Sequence, residues 1–66
     1  MMINLNGEPY ELSTSLKLSE LAQHLDLEGK RYAIEVNEEI ISRSEHDTYE
    51  VKEGDKVEVV VAIGGG

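Results

Sequence analysis

The chain has 66 residues, no cysteine, and 14 acidic against 6 basic side chains, which give a formal net charge of -8. This length suits one small domain held by packing and hydrogen bonds, and the lack of cysteine excludes disulfides, zinc knuckles and iron-sulfur clusters. The negative charge disfavours binding to nucleic acid or anionic lipid, and it suits either solubility alone or a partner with a basic face.

The N-terminal residues do not have the features of a signal peptide. Residues 1–5 contain no basic segment followed by an apolar one, and no apolar run of the chain reaches membrane-spanning length. A composition without cysteine suits a reducing compartment. We therefore expect a soluble, cytoplasmic protein that does not bind membranes.

Residues that commonly bind metals lack the spacing of a metal site. His24 and His46 stand alone, without a second His or Cys at ligand spacing, so we expect both on the surface. Glu50, Glu53 and Asp55 do not fit the calcium-loop pattern and are interpreted as a solvated turn. The sequence therefore predicts no bound metal.

The first segment predicts a β-hairpin. Apolar residues alternate on both sides of Asn6-Gly7, a pair that readily adopts the positive φ angles of a type I′ turn. These apolar residues are Ile3, Leu5, Tyr10 and Leu12. Because Pro9 cannot donate a ladder hydrogen bond, the second arm is expected at the edge of the sheet.

A change of apolar period then predicts one amphipathic helix. The apolar stripe at helical spacing consists of Leu18, Leu21, Ala22 and Leu25. Lys17 stands where a capping Ser or Thr is expected, although Glu20 in the first turn suits the helix dipole. Gly29 is the expected C-terminal stop.

The middle of the chain predicts a second pair of strands. One face of the first strand carries Tyr32, Ile34 and Val36. A turn at residues 37–39 leads to a short extended piece at Ile40-Ile41. The polar residues 42–50 have neither period and are expected to form an irregular crossing loop.

The last segment predicts a central strand. After a turn at residues 53–55, one face carries Val57, Val59, Val61 and Ile63, and the other carries Glu58, Val60 and Ala62. Because Val60 and Ala62 are apolar too, we expect this strand to be covered on both faces. It should run parallel to the first strand at the centre of the sheet.

The order ββαβ(β)β defines the predicted fold class as α+β. We expect a β-grasp (ubiquitin-like) domain over residues 1–63, with a mixed sheet of four or five strands on one main helix. A flexible glycine tail, Gly64, Gly65 and Gly66, is expected to follow it.

The tail offers one reactive group, the α-carboxylate of Gly66. Three extended residues carry it roughly 10 Å beyond the domain, and glycine can pass through a channel that is too narrow for side chains. The carboxylate reacts only after activation, so an ATP-using partner enzyme is required. A frayed terminus or a cloning remnant is the plain alternative.

Elsewhere the sequence offers no catalytic group. No nucleophile with a base, phosphate-binding loop or carboxylate with a nearby His can be assembled. The chain is therefore expected to be a protein cosubstrate rather than an enzyme, with no bound cofactor.

Three segments give the chain a resemblance to a known family. They are "INLNGE" at 3–8, "EVNEEIISRSE" at 35–45 and "EGDKVEVVVAIGGG" at 53–66. Their order and the terminal glycines resemble the ThiS family, the sulfur carrier proteins of thiamine biosynthesis. The chain departs from that family at Ser42, where proline is usual, and at His46, where an aromatic residue, often tryptophan, is usual.

The resemblance implies a function for the tail. Gly66 would be adenylated by a ThiF-type adenylyltransferase that consumes ATP, and would then become a thiocarboxylate with sulfur relayed from a cysteine desulfurase. A ThiG-type thiazole synthase would accept the sulfur. Gly64, Gly65 and Gly66 would lie in the channel of the partner.

The docking surface is predicted around the tail. We expect Ala62, Ile63 and the glycines to enter the groove of a partner while acidic side chains such as Glu58 meet a basic rim. Asn37 and Arg43 are compatible with two roles, bridging loop backbone or contacting a partner.

Three other functions remain open. The small subunit of molybdopterin synthase would share the fold, the Gly-Gly end and the thiocarboxylate, but such proteins tend to be longer, with aromatic and proline residues before the tail. A ubiquitin-like modifier would be joined through Gly66 to lysines of other proteins. A plain acidic binding module would not need Gly65 and Gly66 at all.

Overall fold

The computed structural model describes residues 1–62, which form one five-stranded sheet, one α-helix and one 3-10 helix. The elements are β1 (Met2–Leu5), β2 (Glu8–Glu11), α1 (Leu18–His24), β3 (Tyr32–Val36), β4 (Glu39–Ile41), the 3-10 helix (Arg43–Glu45) and β5 (Lys56–Val61). The strand order is β2-β1-β5-β3-β4. The predicted α+β, β-grasp fold is confirmed. Ile63 and the predicted tail lie outside the described residues.

The central strand of the sheet is β5. It pairs in parallel with β1 and antiparallel with β3, so hydrogen bonds fix its direction on both sides. The predicted parallel contact between the first and last strands is therefore confirmed. The last described residues of the chain leave the sheet at its centre rather than at an edge.

Both β-hairpins close through two residues with positive φ. Asn6 and Gly7 have φ of 51° and 86°, as predicted for the first turn, and Pro9 lies in the edge strand β2. In the second hairpin Asn37 and Glu38 have φ of 52° and 71°. This two-residue turn matches the twist of the strands, so β4 begins at Glu39, one residue earlier than predicted.

The helix packs its apolar stripe on one face of the sheet. Leu18, Leu21 and Ala22 are buried, as predicted. At its start, the Glu20 Oε1 carboxylate oxygen accepts a hydrogen bond from the Lys17 backbone N–H at 2.8 Å. The carboxylate thus satisfies a free backbone donor in the first turn, which compensates for the missing Ser or Thr cap.

The helix ends at His24, and the left-handed residue that closes it is Asp26, three residues before the predicted stop at Gly29. Asp26 adopts φ of 62°, and the N–H of Leu27 donates to the carbonyl of Ala22 at 2.9 Å. This is the hydrogen-bond pattern that usually closes a helix with glycine at the left-handed position. Aspartate tolerates that conformation better than most residues, so the prediction of Gly29 was wrong.

Replacing Asp26 with glycine should therefore stabilise the domain. We expect the Asp26→Gly variant to gain about 0.5–1 kcal/mol in free energy of unfolding, because glycine adopts positive φ without steric cost. The measurement is urea unfolding followed by circular dichroism. As the matched control, Gly29→Ala should lose a similar amount, because Gly29 has φ of 79°. A loss of stability in Asp26→Gly would contradict this account of the helix end.

The hydrophobic core lies between the helix and the inner face of the sheet. It consists of Ile3, Leu12, Leu18, Leu21, Ile34, Val36, Ile41, Val51 and Val57. Val51 directly follows the polar segment 42–50. That segment is more ordered than predicted. That segment contains the 3-10 helix, and Glu50 forms a β-bridge with Lys17.

The outer face of the sheet is open, which corrects the prediction that β5 is covered on both faces. Val60 is 64% exposed and Ala62 is exposed as well. The physical reason is that residues 1–62 contain a single α-helix, of seven residues, and it covers the inner face. No helix among residues 1–62 is long and apolar enough to cross a membrane.

Candidate functional site at the end of β5

The end of β5 is held by hydrogen bonds to β3 and the residue before it. Tyr32 of β3 lies opposite Val61, and the N–H of Ala62 donates to the carbonyl of Arg31 at 2.9 Å. The chain is therefore held by β3 up to the last described residue. Gly64, Gly65 and Gly66, the predicted channel residues, and Ile63, a predicted docking residue, lie outside the described part of the chain.

An apolar depression lies beside this end of β5 on the open face. It has a volume of about 270 Å³ and is lined by Arg31, Tyr32, Ala33, Val60 and Ala62. Ala33 lies directly opposite Val60 in the sheet. The structure thus places Ala62, predicted to dock, in an exposed apolar patch with a basic residue at its rim.

An acidic pair adjoins the apolar patch. Glu58, the predicted docking carboxylate, lies directly opposite Glu35 of β3, and both side chains are half-buried. Like charges in directly opposed positions destabilise a sheet by roughly 0.2–1 kcal/mol. On the other side of Glu35 lies Ile40, which is 69% exposed. The open face therefore combines apolar and acidic side chains that the fold itself does not need.

On the inner side of β3, the side chains of Arg43 and His46 stack on Tyr32. The Arg43 Cζ atom lies 4.0 Å from the centre of the Tyr32 ring, and Arg43 Nη2 donates to the Tyr32 carbonyl at 3.5 Å. The His46 ring lies 6.1 Å from the Tyr32 ring at an interplanar angle of 27°. Arg43 thus contacts backbone, one of its two predicted roles, while its side chain remains exposed.

His46 is buried, which corrects the prediction that both histidines lie on the surface. It is 3% exposed, whereas His24 is exposed as predicted. His46 Nε2 lies 3.0 Å from the Ile41 carbonyl, so this nitrogen carries the proton and donates. Its Nδ1 atom has no hydrogen-bond partner among residues 1–62. Burial follows from stacking on Tyr32, which a sequence read without tertiary contacts does not reveal.

The start of β5 carries a separate polar cluster with a structural role. Asn37 Oδ1 accepts from the Lys56 N–H at 3.0 Å, and Asn37 Nδ2 donates to Asp55 Oδ1 at 3.1 Å. The other carboxylate oxygen of Asp55 accepts from the Lys52 N–H at 2.8 Å. Asn37 therefore takes the first of its two predicted roles, bridging loop backbone.

The acidic turn Glu50, Glu53 and Asp55 also has a structural explanation. Glu53 Oε1 accepts from the Met2 N–H at 3.1 Å, which ties the turn to β1. Among residues 1–62 no group of three or more His, Asp or Glu side chains is placed to hold a metal ion. The nearby Tyr49 has its pKa raised above the usual value by burial and, to a smaller extent, by Asp55 and Glu39, so its phenol stays protonated at neutral pH.

Comparison with known proteins identifies the family. The sequence pattern described as "ThiS family" matches residues 3–66. The chain belongs to the ThiS family. The resemblance seen in the sequence is thereby confirmed over nearly all of the chain.

Solved structures of ThiS-family proteins have the same fold. A crystal structure of the thiamine biosynthesis protein ThiS from Geobacter metallireducens superposes with a TM-score of 0.85 at 33% identity, and all of both chains is covered. An NMR solution structure of a thiamine biosynthesis protein from the same organism gives a TM-score of 0.83, also at 33% identity, with 100% of this chain and 88% of that chain covered.

Two kinds of curated relatives contain a segment like this ThiS-family chain. The uncharacterized protein ycf40 of Porphyra purpurea is 42% identical over 65 residues, which cover 97% of this chain and 90% of that protein. A thiazole synthase of Paramagnetospirillum magneticum is 36% identical over 66 residues. The match covers the whole of this chain but only 20% of the length of the thiazole synthase.

Several residues near the end of β5 and along the open face of this ThiS-family chain carried no functional prediction from the sequence. They are Arg31, Ala33, Glu35, Ile40 and Val60. The alternation of β3 places Ala33 and Glu35 on the face opposite Tyr32, Ile34 and Val36, so a signal for two of them was present. The exposure of this face and the contact between Arg31 and Ala62 depend on strand pairing, which the local sequence pattern does not show.

Proposed function

We propose that this ThiS-family chain is a sulfur carrier protein for thiazole synthesis in the thiamine pathway. The α-carboxylate of Gly66 would carry the sulfur, and the domain would serve as the handle that partner enzymes bind. The observation that carries the proposal is the family match through residue 66, together with a central strand that ends at Val61, three positions before the first glycine of the terminal run. The chain would act as a cosubstrate, with no catalysis of its own.

The proposed chemistry begins with activation of the tail. A carboxylate oxygen of Gly66 attacks the α-phosphorus of ATP, pyrophosphate leaves, and an acyl adenylate forms on a ThiF-type adenylyltransferase. A persulfide sulfur, supplied through a cysteine desulfurase, then attacks the carbonyl carbon. The C–O bond to AMP breaks, and a thiol reduces the resulting S–S bond by two electrons to release the thiocarboxylate.

Delivery of the sulfur would follow on thiazole synthase. The thiocarboxylate is an ionised sulfur nucleophile that adds to a carbonyl or imine of the nascent ring. The relative from Paramagnetospirillum magneticum supports this partner, because a segment similar to the whole of this chain shares one polypeptide with that thiazole synthase. We also expect a cytoplasmic location, no bound cofactor and no nucleic-acid or membrane partner.

A direct test uses intact mass. The protein is incubated with ATP, a ThiF-type enzyme, a cysteine desulfurase and a thiol reductant, and we expect the mass to change by exchange of one oxygen for sulfur. Leaving out ATP is the control and should abolish the exchange. Transfer to thiazole synthase but not to molybdopterin synthase would separate the two carrier functions. Higher-mass conjugates in place of sulfur exchange would identify a protein modifier.

The acidic pair on the open face should assist encounter with the activating enzyme. We expect Glu58→Lys to slow adenylation at low salt, because the carboxylate next to the apolar patch would no longer attract a basic rim. Single surface charges typically contribute about 0.2–1 kcal/mol, so the rate of adenylation should fall roughly twofold to fivefold. The measurement is the rate of ATP–pyrophosphate exchange at several salt concentrations.

A matched control is available on the far edge of the sheet. Glu8→Lys makes the same charge change at an exposed position of β2, away from the end of β5, and should leave the rate nearly unchanged. The interpretation fails if both variants behave alike or if the effect of Glu58→Lys does not depend on salt.

A further inference from the structure

Basic residues are unevenly distributed in this acidic chain. Three of the six Lys and Arg residues lie near the end of the sheet where β5 finishes, namely Lys30, Arg31 and Arg43. Lys52 and Lys56 lie at the opposite end, where β5 begins, and Lys56 pairs with Glu38 at 3.4 Å. Half of the six basic side chains are therefore found near the end where β5 finishes, although the net charge of the chain is -8.

Two arginines are placed on opposite sides of the strand next to β5. Arg31 accepts the hydrogen bond from Ala62 through its carbonyl, and the residue lines the apolar depression on the open face. Arg43 follows β4 and lies over the Tyr32 ring on the inner side. Since neighbouring strands are about 4.8 Å apart, both side chains originate within roughly two strand spacings of the end of β5.

Neither arginine is neutralised within the described residues. Both side chains are exposed, and among residues 1–62 the two ion pairs are Met1 with Glu11 and Lys56 with Glu38. Stacking on Tyr32 and the bond to its carbonyl restrict Arg43, so less side-chain entropy is lost when its guanidinium binds an acceptor. This arrangement favours recognition of carboxylates, which match the guanidinium fork.

The length of the tail decides where the acceptors would lie. Four residues beyond Ala62 span at most about 14 Å when fully extended. The guanidinium of Arg43 is held at the level of Tyr32. With the tail extended in the proposed channel, an acyl-adenylate phosphate at Gly66 would be out of its reach, whereas the rim of the channel would be within it.

From this geometry we infer that Arg31 and Arg43 form a docking site for acidic side chains at the entrance of the channel of the activating enzyme. The inference rests on the proposed function and adds the chemistry of the partner surface. The partner would present Asp or Glu beside β3 and β4, and basic residues opposite Glu35 and Glu58. A glycine tail bound in a channel would by itself leave the domain free to rotate about the axis of the tail. Two charge contacts of opposite sign between the domain and the partner would fix that rotation.

The test compares steady-state adenylation by a ThiF-type enzyme. Arg31→Gln and Arg43→Gln should each raise KM about threefold to fivefold at low salt with kcat unchanged, and the effects should shrink as salt increases. Arg43→Lys keeps the charge but loses the guanidinium fork and the stacking on Tyr32, so its KM should lie between those of the unaltered chain and Arg43→Gln. As the matched control, Lys52→Gln removes one positive charge at the opposite end of the sheet and should leave KM unchanged.

A charge reversal locates the acceptor. The double variant with Arg31→Glu and Arg43→Glu should raise KM by about tenfold or more, and an Asp→Lys or Glu→Lys change at the channel entrance should restore part of it. Thermal unfolding confirms that each variant remains folded. An unchanged KM in the double variant at low salt would overturn the inference while leaving the proposed function intact. If the unaltered chain is not adenylated at all, the proposed function fails first.

Discussion

Deleting Gly65 and Gly66 is expected to abolish formation of the thiocarboxylate. In the proposed mechanism the reacting carboxylate is the end of the chain, and a shorter tail no longer reaches the ATP-binding site of the activating enzyme. Misplacement of a reacting group by even 1 Å can lower a rate about a hundredfold, so a two-residue truncation should lower adenylation by at least that factor. ATP–pyrophosphate exchange and intact mass measure the loss.

A second variant separates tail length from chemistry. One bulky residue added after Gly66 should give the same loss, because a side chain does not pass through a channel that glycine fits. In both variants the free energy of unfolding should stay within about 0.5 kcal/mol of the parent, since the core comes from residues 3–57. Full activity of either variant, without trimming of the added residue, would contradict the carrier function.

Replacing Ile34 with alanine is expected to cause the largest loss of stability. Ile34 is 0% exposed and lies between Val59 of β5 and Ile41 of β4 on the inner face. Truncating a buried isoleucine to alanine typically costs about 2–5 kcal/mol through lost transfer free energy and the cavity left behind. A core of this size rarely supplies more than about 3–5 kcal/mol of net stability, so much of the variant should be unfolded at 25 °C.

The control for this prediction lies on the neighbouring strand. Ile40 is 69% exposed on the open face, and Ile40→Ala should change the free energy of unfolding by less than about 0.5 kcal/mol. Ile34→Val should fall in between, at about 0.5–1.5 kcal/mol. Urea unfolding followed by circular dichroism compares all three. Equal losses for Ile34→Ala and Ile40→Ala would mean that the two faces of the sheet are assigned incorrectly.

The docking surface and the core thus use opposite faces of the same strands. In β3, Ile34 stabilises the domain while Ala33 and Glu35 face outward, and in β5 the same division separates Val59 from Glu58 and Val60. Substitutions on the outer face should therefore change partner binding with little effect on folding. This separation makes the kinetic predictions for Glu58 and Arg31 testable in folded protein, and Arg43, which lies on the inner side, is itself exposed rather than part of the core.

The elements of this fold follow from local patterns in the sequence. Asn6-Gly7 between alternating apolar residues determines the first hairpin, and the spacing of Leu18, Leu21 and Ala22 determines the helix. These features depend on backbone preferences and on a period within a few residues, so they can be read without knowing the rest of the molecule. The chemistry proposed for Gly66 was also drawn from sequence, through composition and family resemblance.

Two predictions from the sequence were wrong because contacts between distant residues decide whether a side chain is buried. His46 is buried because the fold brings it onto the ring of Tyr32, fourteen positions away in the sequence, and Val60 is exposed because the α-helix covers the inner face of the sheet. The helix end at Asp26 depended on a left-handed conformation that aspartate adopts less readily than glycine.

Sequence alone therefore determined the five strands, the α-helix and their order, because each is encoded by neighbours along the chain. Tertiary structure decided which face of the sheet stays open and which charges surround the end of β5. Arg31 adjoins Ala62, and Arg43 rests on Tyr32, only after β3 has paired with β5 and β4 has folded back on β3. Pairing between distant strands creates these neighbours, and no local pattern specifies them.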